Sequence, residues 1–286
     1  MSTGTGNRST AGFTLLELLV VVVIGALILG AAFQVLAVQE RSYRQQSAAM
    51  TTQQNVRAAL DVLETELREI SASDGDLLMI QPESLTFRAY RAAGFICDLR
   101  AASSEIVVLQ RGTEPFVAGK QKLLYFIEGL QTTGTDDVWG LADIDRVDDG
   151  GTCAATWGGL EGVDTTTLKV SGFTFPASLG GPPVYLGAPV RSFEVFTYGL
   201  FEIDGEPVLA RRSAVDGRLD PIVGPLAPSP NGLVFRYFDG NGLPTTNPAN
   251  VARIGIVVRG RTKGTGVPGQ THYTDSLVTQ LFLRNN

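Results

Sequence analysis

The chain has 286 residues, 44% hydrophobic and 18% charged, a composition ordinary for a globular protein and long enough to bury one large core or two smaller ones. Its net charge of −6 argues against broad attraction to nucleic acid phosphates, although a local basic patch stays open. A single histidine, His272, and only two cysteines, Cys97 and Cys153, leave no second imidazole for a zinc site, no CxxC pair and few nucleophile dyads.

The first element is a polar leader, MSTGTGNRSTAG, with one cation, Arg8. From Phe13 to Val38 the only clearly polar residues are Thr14, Glu17 and Gln34, and 26 helical residues reach about 39 Å, enough to cross a bilayer. Arg41 and Arg44 on the far side outnumber Arg8, so charge alone does not orient this helix. A secretory signal peptide is the alternative, with a small-residue cleavage site at Val35–Ala37 that would leave Val38 first. Against it stand the length of the apolar run and Glu17 at its head, where a carboxylate costs on the order of 3 kcal/mol unless something pairs with it.

Beyond a polar patch, QERSYRQQ, apolar residues recur at Val56, Leu60, Leu63, Leu67 and Ile70, one stripe of a helix. No proline precedes Pro82 and no glycine lies between Gly30 and Gly75. The spacing predicts one helix over 13–72, half apolar all round and half amphipathic.

Here a resemblance enters. A leader ending in Gly12, then Phe13-Thr14-Leu15-Leu16-Glu17 and an apolar run, resembles the processing motif of type IV prepilins and type II secretion pseudopilins. The resemblance implies that 1–12 is a leader peptide, that a prepilin peptidase cuts after Gly12 and methylates the new amine of Phe13, and that 13–38 is the membrane and filament-core segment. It also implies that Glu17 pairs with the N-terminal amine of a neighbouring subunit, relieving the lipid penalty and setting axial register. A favourable position on the helix dipole is the plainer role for Glu17, typically under about 1 kcal/mol and too small to offset that penalty.

After Gly75 short β-type segments follow at 84–90, 105–110, 122–128, 190–203, 207–213, 233–238, 253–260 and 276–284, with Asp204-Gly205 marking a hairpin. The expected fold class is α+β: a long membrane-spanning N-terminal helix, then an antiparallel β-rich domain over 75–286. Nine acids and one base between Glu128 and Asp164 give that segment −8 while the rest sums to +2, so 128–165 is expected as an acidic loop region. FDGNGLP at 238–244 lacks the later bidentate acid of a calcium loop and reads as a turn, whereas the carboxylate-rich DIDRVDDGG at 143–151 reads as a solvated loop, with a bound calcium ion as its alternative. No metal, cofactor or catalytic activity is expected. Trp139 and Trp157, both in this region, are either a partner-contact pair or anchors for the long loop.

Residues 190–286, with LARRS, GLVFRYFDGNG, VARIGIVVRGR and LFLRNN, are similar to minor pilins of the PilW kind, pseudopilin J being the nearest relative. Segment 128–189 resembles no family. The resemblance implies other minor pilins, the major pilin, an assembly platform and the prepilin peptidase as partners, and an inner-membrane, single-pass placement with the C-terminal domain in the periplasm, on a filament or at the cell surface. A tip adhesin or DNA-capturing subunit is the alternative role. If the domain is exported, Cys97 and Cys153 either form a disulfide around 55 intervening residues or remain two buried thiols.

Overall fold

A computed structural model describes residues 14–129, 137–155, 164–176, 184–262 and 273–284. Helix α1 runs Leu15–Leu67, 53 residues and about 80 Å. Thr14 caps it: its backbone is extended and its Oγ1 accepts the Glu17 N–H at 3.3 Å, satisfying one of the donors that a helix start leaves unpaired. The helix ends five residues short of the expected 72. Asp76 accounts for this, because its Oδ2 accepts the Ser71 N–H at 3.0 Å and offers the backbone a turn in place of another helical bond. Ile70 and Ala72 remain buried beyond the helix end.

Twelve strands follow among the described residues. They are β1 Leu77–Ile80, β2 Ser84–Arg100, β3 Glu105–Arg111, β4 Lys122–Ile127, β5 Val138–Asp149, β6 Thr165–Ser171, β7 Pro189–Ile203, β8 Glu206–Ser213, β9 Leu219–Val223, β10 Leu233–Phe238, β11 Arg253–Arg261 and β12 Thr274–Phe282. All strand pairings are antiparallel. An antiparallel β-rich domain on one long apolar helix is therefore the architecture.

Nine strands form one sheet in the order β1-β2-β3-β6-β5-β4-β7-β8-β9, and β2 also pairs with β7. That extra pairing closes β2, β3, β6, β5, β4 and β7 into a six-stranded ring. Two long strands make it possible. Along β7, Val190–Phe193 pair with β4 and Phe196–Ile203 with β8, while β2 lies along its other edge. Ile96, Ile106, Val108, Leu123, Tyr125, Ile144, Leu168 and Val190 fill the ring as one apolar cluster. Gly140 faces Tyr125 across the β4–β5 pair, and a Cβ there would fall 2.3 Å from the phenol ring, so the missing side chain is what admits the aromatic.

The acidic loop expected over 128–165 requires correction. Val138–Asp149 is a ring strand; Asp143, Asp145 and Asp148 are exposed along it, Asp149 is exposed at its end, and Ala142 and Ile144 point into the barrel. Outward acids meet local partners: Asp143 pairs with Lys122 at 2.8 Å, Asp148 with Arg146 at 2.7 Å, and Asp145 accepts from Ser171 Oγ at 2.9 Å. Four of the nine acids that suggest a loop by composition, Asp143, Asp145, Asp148 and Asp149, thus belong to a strand.

The second core is a sandwich. Sheet β1-β2-β7-β8-β9 contributes Leu85, Phe87, Phe196, Tyr198 and Leu209. A separate three-stranded sheet, β10-β11-β12, contributes Leu233, Phe235, Ile254, Ile256 and Val258. Val56, Ala59, Leu60, Leu63 and Leu67 of α1 belong to the same cluster. The β7–β8 hairpin turns on Asp204 and Gly205, both at positive φ, as a two-residue turn of its twist requires.

Candidate functional site

The feature that sets this chain apart is what α1 does before it reaches the domain. Its buried residues begin only at Thr52. From Leu15 to Val38 every large apolar side chain is exposed: Leu15 is 83% accessible, Leu27 69% and Phe33 73%. Twenty-four helical residues span about 36 Å, the thickness of a bilayer's hydrocarbon core plus a margin. A helix apolar on every side is stable only where something other than water surrounds it. No part of the described domain covers it.

Between that segment and the domain lies a polar neck, 39–51, which carries an i,i+4 ion pair between Glu40 and Arg44 and an exposed Tyr43. Glu17 is the one ionisable group on the bare half of α1. Its backbone N–H is taken by Thr14, and among the described residues its carboxylate enters no ion pair. Thr14 and Glu17 stand in the Ser/Thr-x-x-Glu spacing of a capping box, a helix-start signal carried by the sequence alone. Gly12 and Phe13 lie outside the described residues, as do His272 and Trp157.

At its far end α1 is clamped to the sheet. Arg91 of β2 lies 3.3 Å from Glu66 of the last helical turn and 3.5 Å from Glu194 of β7, with its guanidinium 5.4 Å from the centre of the Phe196 ring. Arg211 sits on the same ring at 4.8 Å. Burial, followed by the nearby Glu66 carboxylate, raises the Tyr198 hydroxyl to about 12, so it stays protonated. Just beyond, Asp76 is 2% exposed and accepts from Tyr90 Oη at 2.7 Å. Burial raises the Asp76 pKa, against the lowering effects of its hydrogen bonds and of Arg88. The pattern 56, 60, 63, 67, 70 reveals the apolar stripe but not these ionic partners, which come from strands distant in sequence.

Cys97 and Cys153 are joined in a disulfide with Cα atoms 4.9 Å apart, tying β2 to the segment after β5. Asp239 Oδ1 accepts the N–H groups of Asn241 and Leu243 at 2.9 Å each, which makes FDGNGLP a turn. Among the described residues no cluster of three or more His, Cys, Asp or Glu side chains is arranged for a metal. Trp139 is on the outer side of the ring, edge-on to Phe126 and 5.1 Å from the Arg191 guanidinium.

Residues 7–33 match the prokaryotic N-terminal methylation motif. The chain carries a type IV pilin or pseudopilin signal. That signal implies processing by a prepilin peptidase and anchoring in a membrane through the N-terminal helix, and pilin-like proteins are structural rather than catalytic. No curated protein and no solved structure matches the chain.

Proposed function

We propose that this chain is a minor pilin or minor pseudopilin, of the PilW or pseudopilin J kind, that takes part in assembling, priming or tipping a filament. The observation that carries the reading is a single helix whose second half is built into a domain and whose first half, headed by the methylation motif, has no intramolecular contact for its apolar surface. In this reading prepilin peptidase cleaves after Gly12 and methylates Phe13. The segment from Phe13 to Val38 first holds the chain in the inner membrane with its domain in the periplasm. It then packs among the helices of other minor pilins, or of the major pilin, on the assembly platform.

Glu17 gives that packing its register. A carboxylate in hydrocarbon is costly unless an opposite charge reaches it, and the amine freed at Phe13 of an adjacent subunit is such a charge. The disulfide supports export, because such bonds persist in oxidising compartments.

Mass spectrometry of the chain recovered from membranes tests the reading. N-methylated Phe13 as the first residue is expected. A mature chain starting at Val38, or one retaining Met1, would overturn it.

A further inference from the structure

The three-stranded sheet β10-β11-β12 has two faces of opposite character. Leu233, Phe235, Tyr237, Ile254, Ile256 and Val258 point into the core with α1, so alternation along each strand sends 234, 236, 238 and 253, 255, 257, 259 outward. Register aligns these outward positions with their β12 partners in rows. Phe238, Arg253 and Phe282 form one row, Arg236, Gly255 and Gln280 the next, then Val234, Val257 and Val278, and Arg259 lies beside Ser276 in the last.

No acid occupies an outward position in these rows. Asp239 and Asp275, beside these rows, hold backbone N–H groups, Asp239 those of its own turn and Asp275 that of Ser276, and Glu64 of α1 accepts from Thr279 on the inner face. Arg236, Arg253 and Arg259 take part in no ion pair among the described residues. The Arg253 guanidinium lies 4.2 Å from the Phe238 ring centre and donates to Gln280, and Arg259 donates to the Asn231 carbonyl. Phe282 is 72% exposed at the end of the first row. Arg261, by contrast, lines a cavity with Glu83, Glu202 and Glu206 and is not counted in this face.

A chain with net charge −6 has thus collected on one sheet face three guanidinium groups that enter no ion pair among the described residues, beside the exposed Phe282 ring. We infer that the outer face of β10-β11-β12 binds a single-stranded nucleic acid, with Arg236, Arg253 and Arg259 on phosphates and the exposed Phe282 as the stacking surface for a base. Six residues separate Arg253 from Arg259, about 20 Å along the strand, so the cations track an extended backbone rather than one anion. A sheet face combining cations with exposed rings is the arrangement that recognises single strands without regard to sequence. An acidic protein would meet the same cations but has no use for the exposed ring as a base platform. This inference stands on the domain alone and does not depend on processing at Gly12.

The test is fluorescence anisotropy of a labelled oligothymidine, about 15 nucleotides long, titrated with the full chain in detergent micelles. Binding is expected, with a log–log salt slope of about −2 from three neutralised phosphates, falling by about 0.7 for each Arg→Gln change at 236, 253 or 259. Phe282→Ala, at an exposed position where folding is not at stake, is expected to weaken binding about tenfold. Lys169→Gln, on an exposed position of ring strand β6, is expected to change nothing. The inference is overturned by absence of binding, by a salt-independent affinity, by unchanged binding in Phe282→Ala, or by polyglutamate competing as well as unlabelled oligonucleotide. The last result would assign the face to an acidic protein instead.

Discussion

The two halves of α1 share one backbone and differ in everything that surrounds them. Val56, Ala59, Leu60, Leu63 and Leu67 meet two sheets and are almost wholly buried, whereas from Leu15 to Val38 the large apolar side chains are exposed and meet no part of the domain. Helix propensity does not distinguish the halves, since both are continuous α-helix. What differs is where the stabilising contacts come from: in the second half from residues of the same molecule, in the first from a membrane or from other molecules. The same apolar side chain is therefore a folding residue at one end of the helix and, in the proposed filament, an assembly residue at the other.

The largest expected effect lies wholly on the domain side of that divide. Cys97→Ser opens the loop closed by the disulfide and is expected to cost about 4 kcal/mol in the chain-entropy account. A thermal melt of the full chain in micelles, with and without reductant, measures it, and wild type under reductant should fall to the variant's midpoint. The contrast between helix halves comes next. Leu63→Ala, at a fully buried position, is expected to lose about 3 kcal/mol of unfolding free energy. Leu19→Ala, on the bare half, is expected to shift it by under about 0.5 kcal/mol while lowering the amount of subunit recovered in sheared filaments. Equal melting losses from the two changes would erase the comparison.

Glu66→Gln removes one of the two carboxylates flanking Arg91 and should loosen the helix end by on the order of 1 kcal/mol, since the pair is only partly shielded from water. Hydrogen exchange at 60–67, faster in the variant with the ring strands unchanged, is the readout. The smallest effect is one of pH. Because burial raises the folded-state pKa of Asp76, the folded chain holds that proton more tightly than the unfolded one. Its contribution therefore falls as pH rises from the ordinary carboxylate value through the raised one. Asp76→Asn should flatten the pH dependence of the melting midpoint in that interval, and an unchanged slope would contradict the assignment.

Much of this arrangement is legible in the residues themselves. The stripe from Val56 to Ile70 shows a helix face because its period is 3.6, and Gly12-Phe13 with Glu17 forms a short motif whose information is all local. Asp204-Gly205 marks its hairpin for the same reason. Strand β5 is hidden because its acids outweigh, in composition, the inward Ala142 and Ile144, and because a bulge between Ile144 and Arg146 puts the next inward residue, Val147, out of the period of two. Ring closure is hidden more deeply, since it depends on Tyr90 meeting Phe193 and on Ile106 meeting Leu168, contacts between strands far apart in the chain. The clamp around Arg91 and the basic outer face of β10-β11-β12 belong to the same class: their residues are plain in the sequence, and their proximity is set by register.

The central claim is that the bare half of α1 is completed by neighbouring subunits, with Glu17 neutralised by the amine of an adjacent chain. Incorporation of Glu17→Gln into filaments, quantified against wild type at matched membrane levels with processing at Gly12 checked in the same samples, tests it most directly. The account predicts normal cleavage and a severe loss of incorporation; normal cleavage with undiminished incorporation would contradict it.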